Sequence, residues 1–273
     1  MINANHQIVV NYISKHPLLE RVFDRRTLED LGERRHQESP KWPELYLAII
    51  DRRRVNLDTF QAGFSLVMSK TQGQPRSDCI SRLRDTNSVG TVFEVTCIGS
   101  LIPEFGEENV TPYPEFPNGQ RGEVLLDIEG QHICLEASVL SFGEEDNQGF
   151  EAAKGSNGVS VGSMRGIGKG RVILKLEEKM SRYHPDFPNI FLLSQYSCLP
   201  PEKAGISVAR EHLNRHGKED PARNFTGVFY FDRFRCLEWL QNAGCRSKAR
   251  IPDHIIRRLT SAFGRMPPED CEK

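Results

Sequence analysis

The 273-residue sequence lacks an apolar run long enough to cross a bilayer. Its longest uninterrupted apolar segments, such as residues 47–50, 190–193 and 228–231, fall far short of the roughly 20 residues that a transmembrane helix needs. The start of the chain has no cationic segment followed by an apolar one, so we expect no secretory signal and a cytoplasmic protein. These absences exclude the membrane-spanning class and predict that the membrane is not a partner.

The sequence also lacks closely spaced cysteine pairs and a large net charge. Its seven cysteines are odd in number, and no two stand as Cys-x-x-Cys, which favours reduced core thiols over a disulfide framework or a zinc cluster. The 36 Lys and Arg residues nearly balance the 37 Asp and Glu residues, giving a formal net charge of -1. No global field therefore attracts nucleic acid, and any such role depends on local basic patches.

What the chain does contain is a change of pattern near residue 75. The first 75 residues have helical apolar spacing, and Gln72-Gly73-Gln74-Pro75 is typical of a boundary. We therefore predict a helical N-terminal region over residues 1–75 and an α/β domain over residues 76–273. The N-terminal region is a candidate for substrate binding, for a protein partner or for a homodimer contact.

Downstream, helix and strand patterns alternate. We predict a helix over about 77–101, a hairpin of residues 124–128 and 131–140 around Glu129-Gly130, and a glycine-dense loop over 143–170. A helix over about 171–183 follows, then a buried strand at 189–194, a helix at 204–216, a second buried strand at 227–231 and a helix at 234–241. This order predicts a mixed β-sheet flanked by helices.

The hairpin places acidic side chains on one face. With a two-residue turn, opposed residues have numbers that sum to 259, so Glu123 faces Glu136, and Asp127 lies on the same face. The opposite face is unbroken apolar sequence that includes Leu126 and Leu135. Carboxylates placed across a strand pair repel one another, so they are either solvated surface groups or ligands of a cation such as magnesium or manganese.

Four short segments occur along the sequence in an order that resembles the core of a known protein family. They are Phe93-Glu94 on the first helix, Gly122-Glu123 at the start of the hairpin, Leu135-Glu136-Ala137-Ser138 on its return strand, and residues 175–179 (Lys-Leu-Glu-Glu-Lys) on the next helix. Followed by the apolar strand at 188–193, they resemble the PD-(D/E)XK nuclease superfamily over roughly residues 77–231. The resemblance implies a restriction-endonuclease-like fold.

It also implies metal-dependent hydrolysis of phosphodiester bonds in DNA. Magnesium, or manganese, would be held by Glu123, Glu136 and the carbonyl of Ala137, with Glu94 as an outer ligand. Asp127 is the alternative to Glu123 if a bulge shifts the register. The ion would lower the pKa of bound water and stabilise negative charge on the phosphate.

One departure from the family pattern bears on catalysis. The signature lysine is Ser138 here, and a neutral hydroxyl cannot supply its fixed positive charge. Lys175 and Lys179 lie one turn apart on the following helix, and either could supply the charge from there. If neither does, the chain is a catalytically inactive nuclease-like scaffold that binds nucleic acid or a regulatory partner.

Two basic segments are candidate nucleic-acid contacts. Residues 165–182 contain six basic residues against two acidic ones, among them Arg165, Lys169, Arg171 and Arg182. Residues 246–265 contain six basic residues against one acidic residue. Phosphate contacts along such segments would make binding salt-dependent without making it sequence-specific.

Overall fold

The computed structural model describes residues 4–33, 42–116, 119, 121–140, 161–180, 187–195, 202–220 and 222–267. Of residues 161–169, 180 and 202–204, it describes the backbone alone. Within these ranges the chain is an α/β protein with a six-stranded mixed sheet flanked by helices. No helix of the described residues combines the length and the apolar character that a bilayer span requires.

The N-terminal part is helical, as predicted. Asp24 begins the second helix by accepting a hydrogen bond from Thr27 N at 2.8 Å, and Asn56 caps the fourth by accepting one from Thr59 N at 3.1 Å. The helices are α1 (Ala4–Ile13), α2 (Arg25–Glu33), α3 (Glu44–Ile50), α4 (Leu57–Lys70), α5 (Gly73–Arg84) and α6 (Val89–Phe105).

The single helix predicted over 77–101 is wrong, because α5 and α6 replace it. Residues 85–88 separate the two helices, and Asp85 accepts hydrogen bonds from Asn87 N through its side chain and from Ser88 N through its carbonyl. Asp, Thr, Asn and Ser compete for backbone hydrogen bonds in this way, so a run of all four favours a turn over a continuous helix.

The sheet has the strand order β1-β2-β3-β4-β5-β6. Strand β4 is parallel to β3 and to β5, whereas β6 is antiparallel to β5. Both predicted apolar strands, β4 and β5, are confirmed, and every residue of β4 is buried, as expected for a strand covered on both faces. The strands are β1 (Val110–Pro112), β2 (Val124–Ile128), β3 (Gln131–Leu140), β4 (Asn189–Gln195), β5 (Phe225–Asp232) and β6 (Arg235–Gln241).

The hairpin of β2 and β3 is confirmed. Glu129 and Gly130 both have positive φ, at 54° and 75°, which is the backbone geometry of a two-residue type I′ turn. Its predicted apolar face is buried at Val124, Leu126 and Ile128. The turn chemistry and the alternation therefore agree on one register.

The predicted helix over 234–241 is wrong, because this segment is strand β6. It pairs antiparallel with β5 from Asp232↔Arg235 to Gly227↔Gln241, across a tight turn in which Arg233 has a φ of 53°. Trp239 packs against its register partner Phe229, with ring centroids 4.6 Å apart. Pairing with an already formed neighbouring strand overrides the local helical pattern.

The described residues form three further α-helices: α7 (Val161–Met180), α8 (Glu202–His216) and α9 (Asp253–Phe263). The helix predicted at 204–216 is confirmed as α8. The loop predicted through residue 170 is wrong from Val161 onward, since α7 begins there. The glycines of residues 161–170 disfavour a helix. The second half of α7 is, however, held by the buried residues Val172 and Leu176, and extending an existing helix costs less free energy than starting a new one.

The chain divides into two compact units, one of residues 1–124 with 261–273 and the other of residues 125–260. This division differs from the predicted domains, 1–75 and 76–273. The core of the second unit joins four strands, β3 to β6, to two helices, with Val172 and Leu176 of α7 and Leu213 of α8 packed beside Phe191 and Tyr230.

Candidate functional site

Strand β3 presents Glu136 on the sheet face that α7 covers. Its register partner on β4 is Phe191, which packs in the same core cluster as Val172 and Leu176 of α7. Register partners point to the same side of a sheet, so Glu136 also faces this helix. The acidic face predicted from the hairpin is thus partly covered at this residue, rather than a fully solvated surface.

Lys179 of α7 pairs with this carboxylate. Its Nζ lies 2.9 Å from Glu136 Oε2, and the exposed fractions of the two side chains are 8% and 16%. Lys179 follows Val172 and Leu176 on the helical repeat, which turns it toward the sheet along with those apolar residues. Lys179 is one of the two lysines, with Lys175, that the sequence offers in place of the lysine absent at Ser138.

Lys175 lies one turn earlier and has a different partner. Its Nζ contacts Glu178 Oε2 at 2.7 Å, in a pair of residues three apart on the same helix. Of the two lysines predicted as candidates, only Lys179 is paired with Glu136.

Ser138, two residues beyond Glu136 on β3, lies on the same face of the sheet as Glu136. It is half-buried beside its register partner Leu193.

Burial, with a smaller contribution from the Glu136 charge, raises the pKa of the Cys134 thiol, two residues before Glu136 on β3, to about 12. Cys134 is therefore a protonated core thiol near neutral pH, as the sequence predicts.

Asp127 lies toward the turn end of the same hairpin. Its Oδ2 is 3.8 Å from His132 Nδ1, and its side chain is 55% exposed. Residues 127 and 132 sum to 259, the predicted register. Since Glu136 lies four residues beyond His132 on β3, about 13 Å along the strand, Asp127 and Glu136 are too far apart to bind one ion.

Two other predicted ligands, Glu94 and Glu123, belong to the first unit. Glu123 is half-buried in a bend, and its carbonyl accepts a hydrogen bond from Tyr113 N at 2.9 Å. Glu94 is only 3% exposed on α6, and its two carboxylate oxygens lie 3.2 and 3.3 Å from the guanidinium of Arg82. Arg82, which also contacts Tyr113 Oη at 3.4 Å, was not predicted, and no sequence pattern links it to Glu94.

The residues predicted to contact nucleic acid are only partly described. Arg171 is half-buried on α7, and the side chains of Arg165 and Lys169 and all of Arg182 lie outside the described residues. In the second basic segment, Arg246 pairs with Asp220, and Arg258 lies 3.8 Å from Glu129. Arg250 and Arg257 are exposed there.

Glu136 is a carboxylate on the sheet face that α7 covers, and carboxylate oxygen is the donor type that magnesium prefers. Lys179 contacts Glu136 Oε2. Magnesium is commonly bound through one or two carboxylates together with substrate phosphates. Among the described side chains, no three His, Cys, Asp or Glu residues come together as a metal-binding group.

Comparison with known proteins adds no relative. No family model matches this chain, and no curated protein or solved structure is significantly similar to it.

Proposed function

We propose that this chain is a metal-dependent nuclease of the restriction-endonuclease-like type that hydrolyses phosphodiester bonds in DNA. The observation that carries the proposal is the Lys179–Glu136 pair. It joins a carboxylate in the middle of β3 to a lysine on the next helix, in a chain whose signature position is Ser138. A buried lysine beside a carboxylate is costly unless the two are paired, and the 2.9 Å contact offsets part of that cost.

The order of elements supports the same proposal. The family core expected from the sequence runs helix, short strand, hairpin, basic helix and buried strand, and the described elements run α6, β1, β2, β3, α7 and β4. Buried strand β4 is parallel to β3, and it lies beside the strand that carries Glu136.

In this proposal Glu136 holds magnesium through its carboxylate, with the Ala137 carbonyl as the resemblance implies. The bound ion supplies an activated water and charge stabilisation at the phosphate. Lys179 supplies the fixed positive charge that Ser138 lacks, and the low exposure of its side chain strengthens its attraction for a phosphate oxygen. Glu123 and Glu94 stay predicted ligands, and a glutamine variant of each tests its contribution to cleavage.

Cleavage of labelled DNA with and without magnesium tests the proposal. We expect wild-type cleavage to require the metal, and Glu136→Gln and Lys179→Met to abolish it while DNA binding persists. Lys175→Met is the matched control, because this lysine lies on the same helix but pairs with Glu178. Glu123→Gln and Glu94→Gln report whether either carboxylate contributes.

A rescue variant separates lost chemistry from lost folding. In Lys179→Met, the further change Ser138→Lys returns a lysine to the signature position on the face that carries Glu136. We expect the double variant to regain magnesium-dependent cleavage. Cleavage by Lys179→Met at the wild-type rate, or wild-type cleavage that is indifferent to chelators, would refute the proposal.

Ser138 favours a second candidate function, a nuclease-like scaffold that binds nucleic acid without cleaving it. This candidate predicts no cleavage by the wild-type protein under any metal, and binding of duplex DNA that weakens steeply between two salt concentrations. Absence of both cleavage and binding would instead leave the chain as a protein-interaction partner.

A further inference from the structure

The N-terminal unit contains a cavity that the proposed nuclease site does not use. Its volume is about 560 Å³, within the range of small-molecule sites. Helix α1, residues 15–16 after it and the segment that leads into α4 line the cavity. The lining residues are Ile8, Asn11, Tyr12, Lys15, His16, Arg52, Val55, Asn56, Leu57 and Asp58.

The three consecutive arginines beside this cavity have different surroundings. Arg53 pairs with Asp51 at 3.3 Å and Arg54 with Glu44 at 2.9 Å, whereas Arg52 lines the cavity. Within the part of the chain that the structure describes, Arg52 and Lys15 form no ion pair. An anion that enters the cavity therefore meets two cations without displacing a carboxylate from either.

Tyr12 holds the Arg52 guanidinium in position. The guanidinium carbon lies 5.6 Å from the centre of the Tyr12 ring, a cation–π distance. The same ring contacts His16 at 4.3 Å between centroids, and its hydroxyl accepts a hydrogen bond from Gln61 Nε2. A guanidinium stacked on a fixed ring is pre-organised to bind a planar pair of anionic oxygens.

The rest of the lining indicates what else the ligand carries. Asp58 is exposed at the start of α4, and a carboxylate is an acceptor for hydroxyl groups. Val55 and Leu57 contribute buried apolar surface, and Ile8 adds a side chain that is 45% exposed. The cavity thus combines two cations, a hydroxyl acceptor and an apolar wall.

We propose that this cavity binds a phosphate monoester of nucleotide size, with Arg52 and Lys15 on the phosphate, Asp58 on sugar hydroxyls and the apolar wall against the base. An inorganic ion would leave most of the volume unfilled, and a neutral nucleoside would leave the two cations unused. The ligand is either a free nucleoside monophosphate or the phosphorylated end of a nucleic-acid strand. The site is independent of Glu136 and Lys179, so it stands whether or not the chain cleaves DNA.

Titration calorimetry of the full chain tests this site with four probes: adenosine monophosphate, adenosine, inorganic phosphate, and a short oligonucleotide with or without a 5′-phosphate. We expect the monophosphate to bind more tightly than adenosine or inorganic phosphate. A preference for the phosphorylated oligonucleotide over the free monophosphate identifies a strand end as the ligand, and the reverse order identifies the free nucleotide.

Variants locate the binding. Arg52→Ala and Lys15→Ala should each weaken monophosphate binding by about tenfold or more, the effect of losing one charged hydrogen bond. Arg53→Ala is the matched control. It removes an equal charge from the next residue along the chain, whose side chain does not line the cavity. Asp58→Asn should lower the ratio of monophosphate affinity to inorganic phosphate affinity. The ratio is used because the removal of a negative charge strengthens the binding of both anions, and this effect cancels between them.

Two results would overturn the proposal. One is the absence of wild-type binding to the monophosphate and to the phosphorylated oligonucleotide in the millimolar range. The other is an equal loss of affinity in Arg53→Ala and Arg52→Ala, which would indicate a diffuse positive field rather than a site.

Discussion

Lys179 Nζ lies 2.9 Å from Glu136 Oε2, and the pair joins helix α7 to strand β3 at a point where both side chains are largely removed from solvent. The two charges face each other at hydrogen-bond distance, so the removal of one takes this ion pair away from the other at a place with little water. The pair is therefore a contribution to stability as well as the centre of the proposed active site.

We expect Lys179→Met and Glu136→Gln each to lower the free energy of unfolding by about 3 kcal/mol, the usual cost of breaking a buried ion pair from one side. The double variant should lose less than the sum of the two, because the second substitution breaks no further contact between residues 136 and 179. Urea unfolding of the four proteins measures the coupling. Lys175→Met should change stability by about 0.5 kcal/mol or less, since its pair lies on one helix surface; additive losses at 136 and 179 would contradict the structure.

The crossing of α4 and α6 depends on two glycines. A Cβ at Gly63 would lie 2.0 Å from Val95 O, and one at Gly99 would lie 1.8 Å from Thr59 O. Because the obstructing atoms are backbone, Gly63→Ala and Gly99→Ala should force the helices apart and destabilise the protein by about 3 kcal/mol or more. Thermal or urea unfolding checks this.

Gly90 is the matched control for these substitutions. It lies on the same helix as Gly99, and a Cβ there would have no atom within 4 Å. Gly90→Ala should therefore stabilise the protein by about 0.5–1 kcal/mol, because alanine favours helix and restricts the unfolded chain. Equal effects at Gly90 and Gly99 would show that the close approach is not real.

The burial of the Tyr46 phenol predicts that the folded protein loses stability at alkaline pH. Burial raises its pKa to about 12, while a tyrosine in the unfolded chain titrates near 10. Between these values the folded chain keeps a proton that the unfolded chain releases, so the stability present below pH 10 is lost as pH rises toward 12.

Tyr46→Phe isolates this contribution. The variant loses the hydrogen bond between the Tyr46 hydroxyl and His6 Nδ1, which lowers stability at every pH. Its free energy of unfolding should nevertheless fall less steeply than that of the wild type between pH 10 and 12. Parallel curves for the two proteins would contradict burial of the phenol.

The cysteines of the described core should resist alkylation. Burial raises the pKa of Cys79 to about 11 and that of Cys134 and Cys236 to about 12, so their reactive thiolate forms are scarce at pH 8. We expect iodoacetamide, followed by peptide mass spectrometry, to label these three sites much faster in urea than in the native protein. Rapid native labelling of Cys134 would show that the face beside Glu136 is open.

Much of the local structure followed from the sequence because neighbouring residues determine it. Glu129-Gly130 between alternating apolar residues specified a type I′ hairpin, and the uninterrupted apolar sequences of β4 and β5 specified strands buried on both faces. Strand β6 did not follow, since residues 235–241 become a strand only through pairing with β5.

The sequence by itself determined that a carboxylate would stand on the return strand of the hairpin, with lysines on the next helix. Only the tertiary structure decided that Lys179, and not Lys175, meets Glu136, and that Arg82 meets Glu94. The rotation of α7 is set by packing Val172 and Leu176 against β4, and long-range charge partners are set by how elements dock. No local pattern encodes either, because both depend on residues that are distant in the chain.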